Sequence, residues 1–318
     1  MMENEPYSPE QIRHLKEVTD AWRDHAPLLL ERYDLVGGLQ WKTVAGNEYL
    51  YRYHPDPITK KKKSTSMGRR SPETEAAFAQ FNVRREAVSH ALAAGEAALE
   101  SQMRVTKALR LGRVPVELAS VFRVLWSAQV SDHLMLVSDH SVYGYETVFL
   151  SKIDAGLTAD LQFCAMSDGL LEEIFPALGR AILASDKTAE IQVVGREVRV
   201  SGRFGSISFT SPSNLVARWA HQIDATDKQA QTLLDLLSWE PLPALTLSRS
   251  GEPAPVQVPD PRAFAFMKAP KDGPSAELGS AIAVLAAETE QYQFPDDVLD
   301  VMPSLTEALG HRRFGATI

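Results

Sequence analysis

Apolar residues change their period several times along this chain, and each change marks an element. From Tyr7 to Leu30 the spacing is helical, with Ser8 placed as a cap and Pro9 at the first helical position. From Leu39 to Tyr53 it becomes roughly alternating. Leu39, Trp41, Val44, Tyr49, Tyr51 and Tyr53 flank Ala45-Gly46-Asn47, which predicts a hairpin that Pro55 and Pro57 end. Ser71-Pro72-Glu73 then opens a long helix carrying Phe78, Phe81, Val88, Leu92, Leu99 and Met103. Its predicted length is roughly 35 to 40 residues, long for a globular helix and suited to a spine or strut. Gly112 and Pro115 end it, and Val116 to Gln129 reads as a second helix.

From His133 onward the pattern is that of an α/β unit. Leu134 to Val137 is an apolar run that reads as a buried strand. Ser138, Asp139 and His140 interrupt it before a Tyr-rich segment suited to start a helix. Leu157 to Phe163 reads as a short strand carrying one carboxylate, Asp160. A helix follows from Gly169 to Leu183, then strands at Ala189 to Val194, Glu197 to Val200 and Ser206 to Phe209, with a tight hairpin at Gly195-Arg196. Leu215 to Leu237 reads as loop and helix, and a strand ends at Leu247. Pro253 to Pro259 reads as an edge strand, because proline lacks the N–H that an interior ladder needs. Asp260-Pro261 starts a helix carrying Phe264, Phe266, Met267 and Lys268, and two further helical segments close the chain. The class is α+β. A helical and hairpin region spans 1–130, a mixed sheet with flanking helices 131–270, and a helical region 271–318.

Composition narrows the picture modestly. The 318 residues are 44% hydrophobic and 23% charged, as in a soluble globular protein of about two domains. The formal charge of -8 argues against one large basic surface but leaves room for a local patch. A single cysteine, Cys164, excludes an internal disulfide framework and is expected at a buried strand end. No stretch approaches the roughly 20 apolar residues of a membrane span, and no secretory signal is visible, so a cytoplasmic location without membrane contact is expected.

Six stretches occur in order: EYLYRY, SPETEAAF, ALRLGRVPVELASVFRVL, SDHSVYGYE, TADLQF and VPDPRAFAFMK. In that order and spacing the chain resembles, over Trp41 to Gln291, a bacterial family with a nucleotidyltransferase-like domain. The resemblance implies a minimal nucleotidyltransferase of the polymerase-beta type: a mixed sheet with helices, a Gly-Thr/Ser turn for the triphosphate, an Asp-x-Asp pair and a third Asp on a following strand. The turn falls on Ser138 and Asp139, followed by His140, Tyr143, Tyr145 and Glu146. The Asp pair falls on Thr158 and Asp160, and the third Asp on Arg199.

Only one of those three carboxylates, Asp160, is therefore present as a catalytic and metal-binding candidate. Two-ion nucleotidyl transfer needs clustered hard oxygen ligands, and a permanent cation at Arg199 opposes them. Ser138, Asp139, His140, Thr158 and Lys268 remain candidates for holding a nucleotide. Asp139, His140, Glu146, Asp154 and Asp160 form an alternative metal set. Arg199 is expected to turn into the former metal pocket and pair with Asp160 or Asp139, since an unpaired buried ion is costly. The leading expectation is a degenerate, regulatory nucleotidyltransferase-like protein that needs no cofactor and binds a protein or nucleic-acid partner. The alternative is an active metal-dependent enzyme using Mg2+ and NTP at a rearranged site. Lys60, Lys61, Lys62, Lys63, Arg69 and Arg70 form the dense basic cluster, read either as a solvated loop or as a contact to phosphates or an acidic partner.

Overall fold

A computed structural model describes residues 4–55, 62–154, 157, 160–270 and 273–313. The chain forms two compact units, one of residues 14–108, the other of residues up to Arg13 together with those from Leu109 onward. Its elements begin with β1 (Asn4–Pro6), α1 (Pro9–Asp34), β2 (Gly38–Val44), β3 (Asn47–Pro55), β4 (Lys62–Arg69) and α2 (Pro72–Ala108). The α1 N-terminus is a reciprocal cap. Ser8 Oγ accepts from the Gln11 backbone at 3.2 Å, and Gln11 Oε1 accepts from the Ser8 backbone at 2.9 Å. Within the 14–108 unit, α1 buries His14, Leu15, Val18 and His25. His14 Nε2 lies 2.8 Å from Thr106 Oγ1 of α2, and a Cβ on Gly95 of α2 would meet His25 at 2.4 Å. The two helices therefore pack closely through a small residue. The three strands form an antiparallel meander in the order β2-β3-β4.

The larger unit continues with α3 (Val116–Ser127), β5 (Leu134–Leu136), α4 (Val142–Val148), β6 (Ser151–Ile153), β7 (Leu161–Ala165) and α5 (Leu170–Ser185). Then come β8 (Glu190–Val194), β9 (Glu197–Gly202), β10 (Gly205–Thr210), α6 (Pro212–Ile223), α7 (Asp227–Leu237), β11 (Leu242–Leu247) and β12 (Pro253–Val258). The last helices are α8 (Pro261–Lys268), α9 (Pro274–Ala287), α10 (Asp296–Val301) and α11 (Pro303–Arg313). Seven strands make a mixed sheet in the order β11-β12-β5-β7-β10-β9-β8, and β1 pairs separately with β6. The architecture is α+β, a mixed sheet flanked by helices and preceded by a hairpin and long-helix region.

Alternation within the strands decides the two faces of this sheet. Phe163 and Phe209 stack 5.3 Å apart on one face, where Phe122 of α3 meets Phe163 edge-on at 6.3 Å. The opposite face carries α4, α6 and α8. Tyr145 OH of α4 donates to Pro259 O at 2.9 Å, and Trp219 Nε1 of α6 donates to Met267 O at 2.8 Å. A Cβ on Gly144 would stand 2.5 Å from Val258 Cγ1 and 3.4 Å from Ala244 Cβ, so α4 lies directly on β11 and β12. Gly144→Ala is accordingly expected to destabilise the chain by about 1–3 kcal/mol through overpacking, despite the better helix propensity of alanine. Urea unfolding followed by circular dichroism measures it, and an unchanged midpoint contradicts the close packing.

Two expectations are corrected. The unit boundary falls at Ala108/Leu109, not after residue 130, because α3 buries Leu118, Val121, Phe122 and Leu125 in the sheet's core. The residues after 270 likewise belong to that unit, where α9 packs on α8 and contributes Leu278 and Ile282 to the core. Also, β12 is not an edge strand. It lies between β11 and β5, but its ladder to β5 is confined to Gln257↔Met135, beyond Pro253 and Pro255.

Candidate functional site

The turn from Ser138 to Ser141 joins β5 to α4 and is tied to β7 beside it, which begins at Leu161, one residue after Asp160 rather than at Leu157 as the sequence predicts. Val137 N donates to Gln162 O at 2.9 Å, and β5 runs antiparallel to β7 with Leu136 opposite Phe163. The turn is held by Ser141, whose hydroxyl donates to Leu136 O at 2.5 Å and Ser138 O at 2.7 Å. Ser138 is buried, and among the described residues neither its Oγ nor His140 Nδ1 has a hydrogen-bond partner, although both atoms are shielded from solvent. Burial holds the His140 imidazole below its usual value. Asp139 and the backbone of Asp160 act the other way, which places His140 and Asp160 side by side.

Asp139 is buried within a polar cluster. Its carboxylate receives Lys268 Nζ from the end of α8 at 2.6 Å and the Ser275 hydroxyl from α9 at 2.9 and 2.8 Å. Lys268 is itself buried, with its ammonium 5.2 Å from the Phe264 ring centroid. A Cβ on Gly279 would stand 2.6 Å from Lys268 Cβ, so the backbone of α9 shuts the lysine in. The negative charge of the turn is thus met by an internal cation. Lys268 is committed to that carboxylate.

Beyond the turn, the face of β7 that carries Gln162 stays polar across the neighbouring strands. Gln162 is opposite Ser208, Ser208 opposite Arg199, and Arg199 opposite Gln192. Asp160 immediately precedes β7 and is exposed. Arg199 does not pair with Asp160 or Asp139. Its guanidinium lies 3.2 Å from Glu197 and its side chain is 55% exposed. The reason is local: Glu197 is two residues away on the same face, buried, and also receives Arg218 from α6 at 2.8 Å.

The alternative metal set does not converge either. Glu146 accepts from Arg113 at 2.5 Å and from Ile153 N at 2.9 Å, while Arg113 also donates to Asp154 at 3.0 Å. Glu146 and Asp154 thus gather around Arg113, and Asp139 around Lys268. Among the described residues no group of three or more His, Cys, Asp or Glu is placed to hold a metal ion. Thr158 lies outside the described residues. Cys164 is buried near the end of β7, its thiol pushed up by burial. The described residues do not fit a two-ion centre.

In the basic cluster, Lys60 and Lys61 lie outside the described residues, and Lys62 is placed only as the first position of β4. Lys63 and Arg69 are exposed. Arg70 is held by Glu48 and Glu75, each at 2.6 Å, so it stands in an ion-pair network. Sequence reasoning did not single out Arg113, Ser275, Glu197 or Arg218. Their signal was an opposite charge or a hydroxyl far along the chain, which spacing does not reveal.

No family model matches the chain, and no curated protein matches it. Among solved structures it is similar to terminal uridylyl transferase 4 from Trypanosoma brucei with bound CTP, and to the same protein with bound GTP. Each is 15% identical and covers 61% of this chain and 72% of that chain, with a TM-score of 0.23. A likeness of that size carries no argument about this chain.

Proposed function

We propose that the chain is a degenerate nucleotidyltransferase-like module that does not carry out two-ion nucleotidyl transfer and acts by binding a macromolecular partner. The observation that carries this reading is the buried Asp139–Lys268 pair at 2.6 Å. It occupies the turn where the resemblance implies a triphosphate. A carboxylate there opposes phosphate, and the cation that would compensate is already engaged. The polar lane beside Asp160 adds support, since it presents Gln162, Ser208, Arg199 and Gln192 where clustered hard oxygens would be required.

A second reading, an active enzyme with a rearranged site, draws on Ser138 Oγ and His140 Nδ1 beside Asp160, which have no partner among the described residues. Buried polar atoms without partners are uncommon and favour a ligand at the turn. The two readings separate in one assay. The chain is incubated with each labelled NTP, with and without Mg2+ or Mn2+, in the presence of RNA and of protein acceptors. No label transfer is expected. Metal-dependent transfer that Asp160→Ala abolishes overturns the degenerate reading. Calorimetric titration with the same nucleotides reports whether the turn still binds one.

A further inference from the structure

The meander of the 14–108 unit has two unlike faces. On one, Trp41 packs against Phe78 of α2 at 6.0 Å, Leu50 is fully buried, and the Arg52 guanidinium lies 4.4 Å from the centroid of Phe81. The other face carries Tyr49, Tyr51 and Tyr53 at alternate positions of the central strand. Cross-strand pairing sets Tyr49 between Lys42 and Arg69, Tyr51 between Gln40 and Ser66, and Tyr53 between Gly38 and Ser64. Lys42, Gln40, Arg69, Ser66 and Ser64 are exposed, and the tyrosines are half-buried. Lys42 Nζ lies 5.2 Å from the centroids of both Tyr51 and Tyr53, held by ring faces. Glu48 is on the helix-facing side, one residue out of phase with the tyrosines.

We infer that this outer face binds single-stranded nucleic acid, with bases stacked on Tyr49 and Tyr51 and phosphates met by Lys42 and Arg69. Three observations favour that occupant. The rings are spaced two residues apart along one strand, about 7 Å, which gives each ring room for its own base. The charge is complementary to a polyanion: Lys42 and Arg69 are exposed beside the rings, and residues 38–70 hold eight Lys and Arg against two Asp and Glu, of which Arg52 lies over Phe81 and Arg70 is paired with Glu48 and Glu75. The flanking polar groups are short hydroxyls and an amide, and the Tyr53 hydroxyl is shielded from solvent, so Tyr49 and Tyr51 are the rings offered to a base. Aromatic residues on a sheet with cationic flanks are a sequence-tolerant way to hold unpaired bases, whereas a duplex keeps its bases stacked inside. An acidic peptide would need the cations but not the rings.

The inference names the partner of the module proposed above, but it rests on a surface in the other unit. The test uses the full chain and fluorescence anisotropy with labelled 20-nucleotide single strands of RNA and DNA, the corresponding duplexes, and polyglutamate as competitor. Single strands are expected to bind at least tenfold more tightly than duplexes. Tyr51→Ala is expected to weaken single-strand binding about 5- to 100-fold, and Tyr51→Phe to leave it nearly unchanged, because stacking needs the ring and not the hydroxyl. Lys42→Ala should lower the slope of log affinity against log salt by about 0.7. Thermal unfolding of each variant checks the fold, which the outward tyrosines should barely affect. Absence of single-strand binding at low salt, equal binding of duplex, or full binding by a folded Tyr51→Ala/Tyr49→Ala variant overturns the inference. Displacement by polyglutamate that ignores the tyrosine substitutions instead identifies an acidic protein partner, and also overturns it. Label transfer lost in Asp160→Ala while strand binding persists would defeat the degenerate reading and leave this inference standing.

Discussion

Lys268→Ala is expected to cost the chain about 3 kcal/mol of stability, near the low end for removing one partner of a buried ion pair. The variant leaves the Asp139 carboxylate inside the protein without the ammonium that sits 2.6 Å from it. The Ser275 hydroxyl goes on donating, which holds the loss near the lower bound. It also empties space that the lysine stem fills between Phe264 and the α9 backbone at Gly279. Replacing both charges, as in Asp139→Leu/Lys268→Met, is expected to restore most of that stability, since well-packed apolar pairs commonly match or exceed buried salt bridges. Urea midpoints of the native chain, the single variant and the double variant measure this directly. If the single variant keeps the native midpoint, Lys268 is not the countercharge of Asp139. If the double variant is the least stable of the three, the pair does more than neutralise itself.

Arg113→Ala should produce a loss whose size depends on pH. Burial pushes the Glu146 carboxyl up to about 7 from an ordinary value of 4.5, while Arg113 and the Ile153 N–H pull it down. A carboxyl raised on folding adds most to stability below its unfolded value, and that contribution is lost as pH rises through the folded value. Without Arg113 the folded value rises further. At pH 7.5 the variant holds a proton on Glu146 that the native chain has largely released, which adds at most about 1 kcal/mol because the native value of about 7 lies close to that pH, and a loss of about 2 kcal/mol is expected. At pH 5 Glu146 is mostly protonated in the folded state with or without Arg113. The difference should then shrink to about 1 kcal/mol, from lost hydrogen bonds and packing. Glu146→Gln keeps an acceptor for Ile153 N and should flatten this pH dependence in the Arg113→Ala background. Unfolding curves between pH 5 and 8 test both statements, and a loss that stays constant across that range rules out Glu146 as its source.

Local punctuation was the most readable part of this protein. Ser8 with Gln11 forms the reciprocal cap that starts α1. Ser71, Pro72 and Glu73 open a 37-residue helix, and Gly195-Arg196 turns one strand into the next. These signals act within a few residues, so the backbone conformations they require are written side by side in the chain. The alternation of Tyr49, Tyr51 and Tyr53 was equally readable as a shared side of one strand. That this side faces outward was decided by Trp41, Phe78 and Phe81, which seat the opposite side against α2.

The candidate site was legible in its parts and not in its wiring. A strand, a polar turn and a short helix follow one another as the apolar runs indicate, but β6 intervenes before β7, which begins at Leu161 and so leaves Asp160 just outside the strand expected to carry it; the turn does lie beside Asp160. Its electrostatics come from residues 129 and 136 positions further on, Lys268 and Ser275. Arg199 illustrates the same limit at short range: alternation placed it on the polar face, yet its pairing went to Glu197, which shares that face and is nearer. By itself the sequence determined the elements, their caps and the side of each strand that turns inward, because sterics and period act locally. Tertiary structure alone decided which charges neutralise one another. Coulomb attraction and desolvation depend on distance through space, and the seven-stranded sheet with its helices sets those distances.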